Sequence, residues 1–294
     1  MKRQDFLEHV GWTGAGLAFT IGSMGIIEPI AAGAQTTGFS FVQISDSHIG
    51  FHQPANDDVA GTLAKTVAAI NALPNQPAFV VHTGDITHLS KVDQFDSAKQ
   101  ILGTLRAPLL TLPGEHDVIG AEGMKNYFAA FGKKDAKDGW YSWDQNGIHF
   151  IALVNVFDFE TMGLLGQKQL DWLAKDVAGQ KSDTPMVVLG HVPLYALYPQ
   201  WGWTTDDGFK ALAMLKRFSS VTVLNGHIHQ IITHTDGNIR FFTAAATAYP
   251  QPAPGTAEKP GPLTVPKDHL LSVLGYRTVR VDGANGTVAD HNLA

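Results

Sequence analysis

Phe39-Ser40-Phe41-Val42-Gln43-Ile44-Ser45-Asp46-Ser47-His48 is an apolar run of strand length that leads directly into a carboxylate and an imidazole. The same arrangement recurs along the chain. Apolar runs at 78–81, 108–112, 186–189 and 221–224 lead into Thr83-Gly84-Asp85, Pro113-Gly114-Glu115-His116-Asp117, Gly190-His191 and Gly226-His227-Ile228-His229. A sixth run, 148–154, has no such ending. Between the runs lie segments with helical apolar spacing, at 57–73, 90–105, 122–131, 166–177 and 206–218, several of them opening on acidic or Ser caps. Strand-length runs alternating with amphipathic helices predict a layered α/β domain with crossover connections. Segments at 230–235, 239–245, 276–281 and 287–291, with turns at Asp236-Gly237-Asn238 and Asp282-Gly283, add antiparallel hairpins at a sheet edge or in a second sheet. Residues 249–266 carry too many prolines for a strand or helix and read as a loop over the surface. No internal repeat or linker interrupts 35–294, which reads as a single domain.

Composition narrows the chemistry. The chain holds 21 Lys and Arg against 27 Asp and Glu, a formal net charge of -6, and no long basic run, which argues against a dedicated nucleic-acid scaffold. It contains no cysteine, so a disulfide framework, a thiolate metal site and a cysteine nucleophile are all excluded. Any metal must be held by His, Asp, Glu, Asn or water, and the chain has 13 histidines. At the N-terminus, Lys2 and Arg3 precede an uncharged, glycine-containing stretch at 10–27, and Ala32-Gly33-Ala34 follows. Residues 1–34 therefore read as an export signal, with an uncleaved membrane anchor as the alternative. Arg3-Gln4-Asp5-Phe6-Leu7-Glu8 resembles the twin-arginine export motif with Gln4 at the second arginine. The mature protein is expected in the periplasm or outside the cell, with no stable membrane partner once the signal is removed.

In open α/β sheets, ligands bind beyond the carboxyl ends of the strands, so Asp46, His48, Asp85, Glu115, His116, His191, His227 and His229 are expected to share one rim. The glycines before Asp85, Glu115, His191 and His227 suit tight turns and close backbone approach. Asp-x-His and His-x-His spacing would put both side chains on one side of an extended backbone. Any one of these residues has a plainer role available: a lone Asp after a strand caps the next helix, and a lone His fills a core. Several in one series of glycine-flanked turns point to a metal centre.

The ordered set Asp46-x-His48, Gly84-Asp85, Gly114-x-His116-Asp117, Gly190-His191 and Gly226-His227-x-His229 resembles the calcineurin-like metallophosphoesterase superfamily. The match spans Phe41 to His229. The resemblance implies a double β-sheet sandwich flanked by helices (αββα), with a dinuclear metal centre at one edge. It implies that Asp46, His48 and His229 hold one metal, that Asp85 bridges, and that Glu115, His191 and His227 hold the second. His116 would stand beside the leaving group, positioned by Asp117. Two divalent ions, drawn from Mn, Fe, Zn, Co or Ni, would clamp a phosphoester and generate the attacking hydroxide. The activity implied is phosphoester hydrolysis, with phosphodiesters preferred. A phosphomonoester phosphatase and a non-catalytic metal- or phosphate-binding module are the alternatives.

The superfamily pattern has Asn where this chain has Glu115. The added negative charge is expected to disfavour dianionic monoesters relative to monoanionic diesters. Purple acid phosphatases of the same superfamily carry a tyrosine ligand where this chain has His88, a residue that either touches substrate or faces solvent. Trp201 and Trp203, soon after His191, either stack on substrate or close the hydrophobic flank of their loop.

Overall fold

A computed structural model of the protein describes residues 19–21, 27–29, 39–282 and 285–294. Two short strands, β1 (Phe19–Ile21) and β2 (Ile27–Pro29), pair antiparallel. The remainder of the export signal read over 1–34 lies outside the described residues. No helix among the described residues is long and apolar enough to cross a membrane.

From residue 39 the chain builds two sheets. In the first, β3 (Phe39–Ile44), β4 (Val80–His82) and β5 (Leu109–Thr111) are parallel, and a hairpin of β12 (Gly275–Asp282) and β13 (Asn285–Asn292) adds antiparallel to β3. The second has β7 (Ile148–Ala152), β8 (Met186–Leu189), β9 (Val221–Asn225) and β11 (Ile239–Thr243) parallel. Its two edges are antiparallel, β6 (Tyr141–Gln145) beside β7 and β10 (Thr233–Asp236) beside β11. The hairpins expected from the C-terminal segments thus extend one edge of each sheet.

Alternation along the strands builds the layers. Phe41 and Val81 of the first sheet meet Phe150, Val187, Leu189 and Leu224 of the second in one buried apolar layer. Phe41 stacks on Phe79 at 4.8 Å and meets Phe150 edge-on at 5.6 Å. Truncating Phe41, which is fully buried, to Ala would cost about 3–5 kcal/mol. The opposite faces, with Val42, Ile44 and Val80 on one sheet and Ile151, Val188 and Val223 on the other, pack against helices. Those helices are α1 (Val59–Asn71), α2 (Val92–Leu102) and α3 (Gly120–Phe131) on the first sheet, and α4 (Gly166–Ala178) and α5 (Gly208–Leu215) on the second. The result is the double-sheet sandwich between helices that the family resemblance implies, with all the parallel βα turns at one edge.

Local chemistry sets the boundaries. Asp58 caps α1 by accepting from the Gly61 N–H at 2.8 Å. Asp207 precedes α5 but turns away from it, and its carboxylate accepts from the N–H groups of Leu165 and Gly166 at the start of α4. From residue 39 the structure adds a strand and an α-helix that the apolar periodicity does not give. Strand β6 is short, half polar and at an edge, although Asn146-Gly147, both with positive φ, is a strong hairpin signal. Helix α6 (Lys267–Val273) is a short, exposed element that follows the proline-rich loop.

Candidate active site

Five of the seven non-glycine residues with positive φ, among the described residues, are Asp46, His48, Asp85, His227 and His229. Left-handed backbone is uncommon for side chains other than glycine, and where it concentrates it marks turns shaped for function. The expectation of an extended backbone presenting Asp46 with His48, and His227 with His229, is corrected here. These side chains converge because each sits in its own left-handed turn.

The turns place two donor groups side by side. Asp46, His48 and His229 form one: His48 Nε2 lies 3.2 Å from His229 Nε2, which lies 3.4 Å from Asp46 Oδ1. Glu115, His191 and His227 form the other, with Glu115 Oε2 2.9 Å from His191 Nε2 and Glu115 Oε1 2.9 Å from His227 Nδ1. Between them, Asp85 Oδ2 is 3.4 Å from both His48 Nε2 and His191 Nε2. Glu115 comes from a 3-10 turn, Glu115–Asp117, and its carboxylate points into the cluster. Two glycines make the approach possible. Gly84, at φ +100, lies where a Cβ would stand 2.4 Å from the His191 ring, and a Cβ on Gly114 would strike the backbone of Asp85.

Second contacts fix which atom each imidazole presents. His191 Nδ1 lies 2.7 Å from the Thr83 carbonyl and His229 Nδ1 lies 2.6 Å from the Tyr249 carbonyl, so in both rings Nδ1–H donates outward and Nε2 faces the cluster. The Asp46 carboxylate also accepts from the His227 N–H, and Asp85 accepts from the His116 N–H. Beneath the rim, Gln43 donates to Thr83 and to the Asn225 carbonyl, and the buried Arg277 reaches Gln43 and Asp290. Asn155, at the end of the run without a ligand, holds the chain after His191 through the Val192 carbonyl and Thr205. Asn225 does the same through the carbonyls of Gly190 and Val192.

The donor set fits a metal. Four of the eight buried side-chain N and O atoms that lack a hydrogen-bond partner, among the described residues, are Asp46 Oδ2, Glu115 Oε2, His191 Nε2 and His227 Nδ1. Lone pairs left without donors in a buried site are costly unless a cation takes them. Carboxylate oxygen with imidazole nitrogen suits divalent first-row metals. Electrostatics agree with the geometry. Burial alone would raise the Glu115 carboxyl, yet His227 and His191 hold it well below the usual range. Burial works against a charged His191, but Asp85 and Glu115 lift it well above an ordinary imidazole.

His116 and His88 adjoin this cluster. Burial opposes a charged His116 ring, and Asp85 and Glu115 together raise it above its ordinary value. Its Nδ1 lies 2.7 Å from the His88 carbonyl, and the two rings stack at 5.0 Å. The expected positioning of His116 by Asp117 is not found. Asp117 is fully buried and its carboxylate accepts from the N–H groups of Ile86, Thr87 and Gly114, tying the Asp85 turn to the Glu115 turn. His88 is not solvent-facing: it is half-buried, with Nδ1 3.3 Å from His48 Nδ1.

A cavity of about 570 Å³ opens over the cluster. Trp201 and Trp203 both border it, but Trp203 is only 1% exposed, packed against Leu197 and Ile228 with its ring perpendicular to Trp201, so its main part is to support the wall. The proline-rich loop forms part of the opposite wall through Tyr249, Gln251 and Pro260. Tyr249 lies over His48 at 5.0 Å and His229 at 4.7 Å, a role that no sequence signal marks beyond its place at the start of that loop.

Comparison with known proteins agrees with this arrangement. The chain is 27% identical over 199 residues to a glycerophosphodiester phosphodiesterase of Enterobacter lignolyticus, covering 66% of this chain and 71% of that one. It is 26% identical over 219 residues to a probable cyclic nucleotide phosphodiesterase of Rhodococcus erythropolis, covering 71% of each. A dimetal phosphatase from Danio rerio shares the fold at a TM-score of 0.64 and 13% identity, over 87% of this chain and 96% of that one. Residues 39–231, which hold every candidate ligand, match the calcineurin-like phosphoesterase family, and the chain is a member of that family of metal-dependent phosphoester hydrolases.

Proposed function

We propose that the protein hydrolyses phosphodiesters carrying a single negative charge, in preference to dianionic phosphomonoesters. The observation that carries this reading is the charge of the site: Asp46, Asp85 and Glu115 meet in the cluster, and among the described residues no Lys or Arg lines the cavity above it. Against two divalent ions, three carboxylates leave a formal charge of about one positive unit, enough for a monoanion and poor for a dianion. Asp46, His48 and His229 would hold one ion and Glu115, His191 and His227 the other, with Asp85 within reach of both, and bound metal would supply a Lewis acid for the phosphoryl oxygens and an activated water. Mn, Fe, Zn, Co and Ni all suit these donors.

The chain's own residues do the remainder. His116, with Nδ1 held by the His88 carbonyl, keeps Nε2 for the departing oxygen, and the negative charge of Asp85 and Glu115 favours its protonated, donating form. The oxygen of water joins phosphorus, the bond to the alcohol breaks, and a proton ends on the alcohol. Trp201 and Tyr249 wall the substrate, and their aromatic faces suit a neutral group attached to the phosphate. The leader read over 1–34 supports export to the periplasm or beyond. The relatives named as phosphodiesterases support the same choice of substrate.

The test is turnover of bis(4-nitrophenyl) phosphate and of 4-nitrophenyl phosphate by metal-stripped protein with each divalent ion added back. Metal-restored turnover with the diester favoured is the expected result. A monoester preference contradicts the reading, and two-ion binding without turnover of either ester points to a binding module.

A further inference from the structure

A second cavity, of about 630 Å³, adjoins the site on the His116 side and shares Glu115, His116 and Phe159 with it. Its own walls are unlike those of the first. Val118, Ile119 and Met124, at the start of α3, form one side, and Val156 and Phe157, after β7, form the other. Beyond the shared Glu115 and His116, no polar or charged side chain among the described residues lines it. Ile119 is one of the few large apolar side chains left 49% exposed, and it stands at the N-cap of α3 without making a capping hydrogen bond. Ser, Thr, Asp or Asn would serve the helix better there.

We propose that this groove is the subsite for the leaving alcohol, and that the substrates are monoanionic phosphodiesters of an apolar alcohol whose chain lies between Ile119 and Phe157. The proposal rests on the phosphodiesterase reading above and specifies it. The groove begins at His116, the residue placed to protonate the departing oxygen, so a chain attached to that oxygen enters it directly. Among the described residues neither cavity is lined by Lys or Arg, the cations that a second phosphate would require, and the apolar walls reward burial of hydrocarbon in its place. A leaving group rich in hydroxyls would lose its hydration on the same walls without gaining partners.

Methyl alkyl phosphates with one to six carbons in the alkyl chain, used as competitive inhibitors of bis(4-nitrophenyl) phosphate turnover by the Mn²⁺-loaded full chain, read the groove directly. Affinity should rise about two- to fourfold per added methylene until the groove is filled. Ile119→Asn, which places a preferred neutral capping residue on α3, and Met124→Gln, which keeps a good helix former, should each flatten the series. A series that is flat in the wild-type protein overturns the proposal while the phosphodiesterase reading stands. So does a gain that survives both substitutions and disappears in Trp201→Ala, which would put the chain on the opposite wall. Absence of diester turnover with any metal overturns the phosphodiesterase reading, and the proposal falls with it.

Discussion

Two buried histidines, His149 and His191, each stand between two carboxylates, and each is raised above its ordinary pKa. At His149 both ring nitrogens are spent: Nδ1 lies 2.7 Å from Asp144 and Nε2 lies 2.9 Å from Asp176, in aligned hydrogen bonds. At His191 only Nδ1 is spent, on the Thr83 carbonyl, while Nε2 lies 2.9 Å from Glu115 and 3.4 Å from Asp85 without a hydrogen bond to either. Residue types and the direction of the pKa shift are the same. What separates a structural cluster from a ligand-binding one is whether the valences close within the protein.

The sharpest way to break this contrast is to remove each ring. His191→Ala should lower metal-dependent diester turnover by more than about 100-fold, beyond the roughly 10–100-fold cost of losing a residue that merely orients a ligand. His149→Gln should leave turnover within about twofold, because its partners are satisfied and lie outside the site. Equal losses in steady-state assays would mean that the contrast carries no functional information.

Metal removal should separate the two clusters next. An ion present at 100 times its dissociation constant stabilises the folded state by about 2.7 kcal/mol. Chelation should therefore lower the melting temperature of the wild type and of His149→Gln by the larger amount, and that of His191→Ala by less, because Asp46, His48 and His229 are still in place to hold one ion. Differential scanning calorimetry with and without chelator reads this.

His149→Gln should cost about 1–2 kcal/mol of stability, because Asp176 is largely buried while the Asp144 side chain is 70% exposed and its pairing is screened by water. The cost should depend on pH. A histidine whose folded pKa is raised contributes fully below its unfolded value of about 6.5, and the contribution is lost as pH rises through the folded value. Denaturant unfolding of wild type and variant should thus converge as pH increases from 6 towards 9, and a widening gap would refute the pairing. The smallest expected effect belongs to Glu115→Asn, a change of one charge that should shift the monoester-to-diester turnover ratio several-fold towards the monoester. An unchanged ratio would remove Glu115 from the account of charge selection.

Much of the site was readable in the chain because its ligands sit at short offsets past apolar runs and beside glycine, as with Gly84-Asp85 and Gly226-His227. Local sequence also carries the alternation that puts Phe41 and Phe150 between the sheets and Val42 and Ile151 beneath helices. What escaped is tertiary. Left-handed backbone at Asp46 and His229 has no local marker when the residue is not glycine. The family resemblance implies Asp117 beside the His116 ring, yet the 3-10 turn carries its carboxylate down to the N–H groups of Ile86 and Thr87. Trp201 and Trp203 are equivalent in the sequence, but packing against Leu197 and Ile228 leaves Trp203 only 1% exposed. Phe159, Tyr249 and Gln251 come from irregular loops whose reach is set by the whole fold.

Seven ligands closing around two cations should be visible when the metal-free protein is titrated with Mn²⁺ and followed by electron paramagnetic resonance. Two ions per chain should bind as a spin-coupled pair, as expected for ions about 3.5–4 Å apart, and the coupled signal should be lost in Asp85→Asn. A single uncoupled ion, or no binding at all, would rule out the dinuclear centre.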